Sequence, residues 1–139
     1  MNVLIVGGGG REHAIAWALS KSGKVAPLYC APGTGGSPAV AQCVPIAATD
    51  VKAIEDWAVD NRMDFVVVAP DDPLALGMVD VLDKAGIPAF GPNAAAAIIE
   101  ASKSFSKTLM EKYHIPTAKH KTFTDMDQAL GYVEEEGAP

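Results

Sequence analysis

The sequence predicts a doubly wound parallel α/β domain, and two observations carry that expectation. Apolar runs and helix-periodic segments alternate through residues 1–93, joined by short connections, which is how a parallel sheet with helices on both faces reads. The first apolar run, Val3-Leu4-Ile5-Val6, has no polar alternation and ends directly in four glycines, as a strand buried on both faces and feeding a phosphate-binding turn should.

After that strand, residues 12–19 have helical spacing with Ile15, Ala18 and Leu19 on one face, stopping near Ser22-Gly23. Leu28-Tyr29-Cys30 reads as the second strand, closed by the glycine-rich residues 32–36. Val44-Pro45-Ile46 is expected as a short edge strand, since Pro45 donates no ladder hydrogen bond. Asp50 is positioned to cap a helix over residues 51–60, with Val51, Ile54 and Ala58 inward. Phe65-Val66-Val67-Val68 is a central strand, and residues 69–73 turn it into a helix over 74–84. Gly86 ends that helix as a left-handed cap, with Pro88 just beyond, and Ala89-Phe90 is the last strand of the domain.

The character changes after Gly91. Residues 94–100 and 104–113 read as helices, 119–123 as a strand and 125–136 as an amphipathic helix, followed by a loop signal at residues 137–139. The expected division is therefore a phosphate-binding domain over 1–93 and a helical and strand extension over 94–139.

Composition bounds the function. An apolar share of 49% and a charged share of 20% are those of a globular domain. A net charge of −6 argues against a nucleic-acid groove, which needs a basic stripe. No apolar run approaches the roughly 20 residues of a membrane span, and no signal peptide opens the chain, so a cytoplasmic protein is expected. Cys30 and Cys43 lack metal-ligand spacing and read as reduced, mostly buried thiols. Locally the balance reverses: Arg11, Lys21 and Lys24 face only Glu12 near the start, and five lysines between Lys103 and Lys121 face only Glu111. Either segment could attract an anion.

The glycine run is the main candidate site. Bare amides of Gly8, Gly9 and Gly10 at a helix start can cradle a phosphate, aided by the helix dipole, and a tight turn alone would need fewer glycines. The dinucleotide pattern fails, because its third glycine falls on Glu12 or His13, and no acid between His13 and Thr49 could hold an adenosine ribose. A Walker lysine is absent as well. A mononucleotide-like or phosphosugar ligand fits better than NAD. Arg11 in the first helical turn could clamp the anion. His13 beside it is expected to pack on a neighbouring loop rather than serve as acid or base. Residues 32–37, with Gly33, and residues 70–73, with Asp71, follow strands at their carboxyl ends, where ligands of such sheets bind. Asp71 is favoured for ligand hydroxyls over a metal pair with Asp72, and no metal ligands are assigned.

Several strings, taken together, carry a resemblance. Gly9-Gly10-Arg11-Glu12-His13-Ala14, Ala31-Pro32-Gly33, Phe90-Gly91-Pro92, Ser102-Lys103-Ser104-Phe105-Ser106-Lys107 and Tyr113-His114-Ile115-Pro116-Thr117-Ala118 occur in order along the chain. They resemble the N-terminal part of the phosphoribosylamine–glycine ligase (glycinamide ribonucleotide synthetase) family. The resemblance implies a Rossmann-like domain preceding an ATP-grasp body, in an enzyme of purine synthesis that joins glycine to 5-phosphoribosylamine with ATP and Mg²⁺. It implies that Gly8, Gly9, Gly10 and Arg11 hold the substrate's 5-phosphate, that His13, Gly33 and Asp71 make secondary substrate contacts, and that Lys103 belongs to the ATP site. Two positions depart from the family pattern: Thr34 where Asn is common, and Ala69-Pro70-Asp71 where Gly-Pro-Glu is common.

The family chain continues into the ATP-grasp body, so a truncated ligase is expected, inactive alone, with its metal ligands beyond this chain and no catalytic residue within it. The competing readings are a phosphosugar-binding module without catalysis and the opening domain of another ATP-grasp ligase. The strand at 119–123 and the stripe Leu130, Tyr132 and Val133 are further expected to promote self-association once separated from that body.

Overall fold

A computed structural model describes residues 1–137. The loop expected at residues 137–139 lies, from Ala138 on, outside the described residues. The chain divides into two compact units, Met1–Ala101 and the segment from Ser102 onward. The first unit thus runs past Gly91 to include the helix Ala94–Ala101. Ala97 of that helix is buried in the main core, and its Ala94 N–H donates to Asp80 Oδ2 at 2.8 Å.

The first unit is a five-stranded, wholly parallel sheet with helices on both faces. Its strands are β1 (Val3–Gly7), β2 (Leu28–Pro32), β3 (Gln42–Cys43), β4 (Phe65–Val68) and β5 (Ala89–Phe90), in the order β3-β2-β1-β4-β5. Every position of β1 is buried, and its side chains sort by parity, as a pleated strand demands. Val3 and Ile5 meet Ala16 of α1 (Gly10–Ser20) on one face. Leu4 and Val6 meet the opposite layer, built from α2 (Val51–Asp60), α3 (Asp71–Ala75), α4 (Met78–Lys84) and α5 (Ala94–Ala101). Within that layer Ile54, Leu74, Met78, Leu82 and Ala97 are buried, and Trp57 of α2 packs edge-on against Tyr29 at 5.0 Å between ring centres.

Local signals explain most boundaries. Asp50 caps α2 by accepting the Ala53 N–H at 3.1 Å. After α4, Gly86 at φ +77 lets the chain turn back, so that the Gly86 N–H reaches Asp83 O and the Ile87 N–H reaches Leu82 O. That pair of bonds is the Schellman stop expected of Gly86.

Four expectations need correction. The helix expected over 74–84 is two helices, because Gly77 at φ +82 breaks the chain between α3 and α4 and the first begins at Asp71. The edge strand lies at Gln42–Cys43 rather than at 44–46. Val44 still donates to Cys30 O at 2.8 Å, and pairing stops at Pro45, which has no N–H to offer. On α1 the innermost residues are Glu12 and Ala16, while Ala18 is exposed. Cys43 is exposed, so only Cys30 is a buried thiol.

The second unit contains α6 (Lys103–Lys112) and α7 (Met126–Glu136). Ser102 caps α6 by accepting the Phe105 N–H at 3.2 Å, and Asp125 caps α7 by accepting the Gln128 N–H at 3.0 Å. Residues 119–123 do not form the expected strand, since among the described residues of this unit no other strand completes their backbone hydrogen bonds. Instead Lys107 Nζ donates to Thr117 Oγ1 at 2.6 Å and Ala118 O at 2.9 Å, and Phe123 packs on Tyr132 at 5.4 Å. Leu130 and Val133 are exposed, and no residue of α7 is buried.

Candidate functional site

The strand order places a topological switch between β1 and β4, whose onward connections run to opposite sides of the sheet. Loops at the carboxyl ends of these strands diverge there and leave a crevice, the usual ligand position in open α/β sheets. In this chain a cavity of about 560 Å³ opens at that point. It is walled by Arg11 and Ile15 of α1, by Val68 and Ala69 after β4, and by Phe90, Gly91 and Pro92 after β5. A second cavity, of about 260 Å³, shares Leu74, Pro92 and Glu100 with the first and is bordered by Asp71.

The four glycines are glycine for different reasons. Gly7 ends β1 at φ +130, and a Cβ there would sit 2.5 Å from Glu12 Cγ. A Cβ on Gly8 would lie 2.9 Å from the carbonyl oxygen of Gly33, and one on Gly9 would lie 2.6 Å from Glu12 Oε2. Around Gly10 nothing lies within 4 Å of that position. Gly7 and Gly8 are therefore required by the protein's own packing, Gly9 is crowded only by the movable end of the Glu12 side chain, and Gly10 is the member that leaves open space in front of the helix start.

Glu12 is the residue that organises this loop, and the reading of the sequence gave it no role. Its side chain is only 6% exposed. One carboxylate oxygen accepts the Gly9 N–H at 2.7 Å, and the other accepts from Arg11 Nε at 3.2 Å. The Gly-x-x-Glu spacing is half of a capping box, with the acid at the third helical position reaching back to the N-cap amide. That spacing was the available signal. The consequence for an anion is direct: the Gly9 amide already has an acceptor, so the donors left at the helix start are the first-turn amides from Gly10 onward and the Arg11 guanidinium, whose side chain is 60% exposed.

Two other sequence candidates join this loop. Gly33, at φ +80, donates its N–H to Gly7 O at 3.1 Å, which ties the loop after β2 to the loop after β1. The His13 ring packs on that same loop, 3.0 Å from the position of a Cβ on Gly36. Its Nδ1 is buried without a hydrogen-bond partner among the described residues. Gly8, Gly9, Gly10, Arg11, His13 and Gly33 are thus brought together, while Asp71 is an exposed residue at the start of α3 on the margin of the smaller cavity. Lys103 lies in the second unit, exposed at the first position of α6 and without an ion-pair partner among the described residues. Lys107, one turn on, is engaged by Thr117 and Ala118. Among the described residues no three His, Cys, Asp or Glu side chains are grouped so as to hold a metal ion.

Residues 1–100 match the N domain of phosphoribosylglycinamide synthetase, and residues 101–139 match its ATP-grasp (A) domain. Curated relatives named phosphoribosylamine–glycine ligase include one from Listeria monocytogenes, 51% identical over all of this chain, and one from Caldanaerobacter subterraneus, 44% identical over all of it. Each alignment covers 33% of the relative, so the chain spans about a third of their length. The trifunctional purine biosynthetic protein adenosine-3 of Drosophila melanogaster is 46% identical over 99% of this chain and 10% of its own. Among solved structures, the phosphoribosylamine–glycine ligase of Thermotoga maritima superposes with a TM-score of 0.69 at 25% identity, covering 100% of this chain and 31% of that one. A biotin carboxylase domain from Hydrogenobacter thermophilus, at 15% identity and a TM-score of 0.69, shares the fold. The N-domain match alone takes in well over half of the sequence, and the chain belongs to the phosphoribosylglycinamide synthetase family.

Proposed function

We propose that this chain is the substrate-holding N-terminal portion of an ATP-dependent ligase that joins glycine to 5-phosphoribosylamine in purine nucleotide synthesis. The observation that carries the proposal is the switch-point crevice. It has a cation, Arg11, and an open helix start at Gly10 on one side and mostly apolar walls elsewhere, in a chain whose relatives bear the ligase name. A 5-phosphate would take the Gly10 and Arg11 amides and the Arg11 guanidinium. His13 and Gly33 would hold the loop after β2 in place, and Asp71 would face the sugar hydroxyls. Lys103, exposed and unpaired among the described residues, suits a nucleotide phosphate. ATP would supply the driving force for the amide bond. The chain spans about a third of the length of its curated relatives, and we assign the magnesium ligands to the remainder. For the same reason the 139-residue chain alone is expected not to turn over ATP with glycine and phosphoribosylamine. Among the described residues no helix is long and apolar enough to cross a membrane, and a cytoplasmic setting follows from the proposed pathway.

The test is calorimetric titration of the chain with ribose 5-phosphate. Arg11→Ala should weaken binding by about 1–3 kcal/mol, the scale of one charge-assisted hydrogen bond. Its fold should be nearly unaffected, because the guanidinium is largely in solvent. Unchanged affinity would remove Arg11 from the site, and no binding by either protein would remove the crevice.

A further inference from the structure

The two cysteines are partners across neighbouring parallel strands. Cys30 of β2 and Cys43 of β3 stand opposite each other in register, so their side chains leave the same face of the sheet. Paired strands run about 4.7–4.9 Å apart, inside the Cα separation of roughly 4.4–6.8 Å that a disulfide spans. Gly33 marks how close the two side chains come. The point where its Cβ would sit is 2.9 Å from Cys43 Sγ and 3.2 Å from Cys30 Cβ. Cys43 is exposed and Cys30 is buried, so one thiol meets solutes while the other waits behind it.

We infer that Cys30 and Cys43 form a reversible cross-strand disulfide when the protein meets a small-molecule disulfide oxidant. The Cys43 thiolate attacks one sulfur of the oxidant and expels the other half as a thiolate. The Cys30 thiolate then attacks the Cys43 sulfur and expels the second half. Two protein thiols are oxidised to one disulfide, the oxidant is reduced to two thiols, and the two protons lost by the protein are taken up by the leaving thiolates. The order follows from access, since only Cys43 is open to the first encounter. The second step is slow at neutral pH, because burial holds the Cys30 thiol above its ordinary range.

The bond would report to the loop beside it. Ser37 lies beside the Cys30 thiol, where its side chain acts against the upward shift caused by burial. Ser37 Oγ in turn accepts the Thr34 N–H at 2.8 Å and lies 3.1 Å from Thr34 Oγ1, whose oxygen accepts the Gly36 N–H at 3.2 Å. Turning the Cys30 sulfur toward Cys43 takes it from Ser37 and loosens this loop, which packs on His13 through Gly36. The inference rests on thiol geometry and stands whether or not the crevice binds a phosphosugar.

The experiment exposes the full chain to oxidised glutathione, quenches by alkylation, and maps peptides by mass. The expected result is loss of both alkylatable thiols and a cross-linked peptide pair, lighter by two hydrogens than the separate peptides, which dithiothreitol restores. Cys43→Ser, at an exposed position, should keep its Cys30 thiol free and give no cross-link. Hydrogen exchange at the Thr34 and Gly36 amides should quicken several-fold on oxidation. Glutathione retained on Cys43 with Cys30 still free after prolonged incubation at pH 9, where the slow second step can run, or disulfides only between chains, would overturn the pairing. A cross-link with unchanged exchange would overturn the coupling to the loop.

Discussion

Removing the Glu12 carboxylate should destabilise the first unit far more than an ordinary helix-start acid would. Glu12→Ala deletes the acceptor for the Gly9 N–H, a charge-assisted bond within the packed glycine loop, worth about 1.5–3 kcal/mol. The pair with Arg11 adds about 0–1 kcal/mol, since the guanidinium is largely exposed. The buried Cγ methylene that packs over Gly7 adds about 0.8 kcal/mol when lost. With partial relaxation the sum is about 2–4 kcal/mol, a large fraction of a small domain's stability. Urea unfolding followed by far-ultraviolet circular dichroism measures it. With an m-value near 1.5 kcal/mol/M, the midpoint should fall by about 2 M. Glu12→Gln keeps an oxygen for the Gly9 amide and should lose about half as much, which keeps the test readable if the alanine variant does not fold. A shift of less than about 0.5 kcal/mol in Glu12→Ala would refute the view that this side chain holds the loop.

Gly10→Ala should leave the fold intact or stabilise it by about 0.4–1 kcal/mol, because its Cβ meets nothing in a helical conformation. The same methyl group stands where the ligand phosphate is proposed, so ribose 5-phosphate affinity should fall in the calorimeter while the melting temperature does not. Above pH 9 the buried Cys30 thiol gives a signed effect. Its folded value of about 11 exceeds the ordinary value of 9.0, so the unfolded chain loses its proton first. The contribution is fully present below pH 9 and is lost as the pH rises toward 11, by at most about 3 kcal/mol in all. Denaturation curves of the parent and Cys30→Ala chains across that range should converge on one another by this amount, and parallel curves would refute it. The exposed Met126, Leu130 and Val133 of α7 are expected to drive self-association. Analytical ultracentrifugation of this chain beside a version ending at His114 would refute that if both run as monomers.

Legibility in the sequence followed the range of the interaction that decides each feature. Val3-Val6, Phe65-Val68, the Asp50 cap and the Gly86 stop are written in adjacent residues, and all appear where the pattern put them. Gly77 was passed over because Ala75-Leu76-Gly77-Met78 keeps an apolar helical rhythm, and only the positive φ reveals the break. Residues 119–123 have strand-like composition, but a strand exists only with a partner, and composition does not supply one. In the site, the glycine run was legible as the turn from the first strand into the first helix, but the division of labour within it was not. Which glycine answers to Glu12, which to the Gly33 carbonyl and which to open space depends on contacts across the fold. His13 was read as a packing residue, and its ring does lie on Gly36.

The resident carboxylate of Glu12 also bears on what competes for the crevice. A glycine loop with every amide vacant would welcome any free oxyanion, and inorganic phosphate is the most abundant oxyanion a metabolic enzyme meets. Here an internal acid already occupies the Gly9 amide and places a negative charge at the helix start. An incoming dianion loses one donor and gains a repulsive neighbour, so phosphate by itself gathers little free energy. A ligand that also fills the apolar walls formed by Ile15, Val68, Leu74 and Phe90 recovers the difference through its remaining atoms. If the crevice holds the proposed phosphosugar, the built-in acid would act as a filter against simple ions and favour molecules in which the phosphate is only one of several points of attachment.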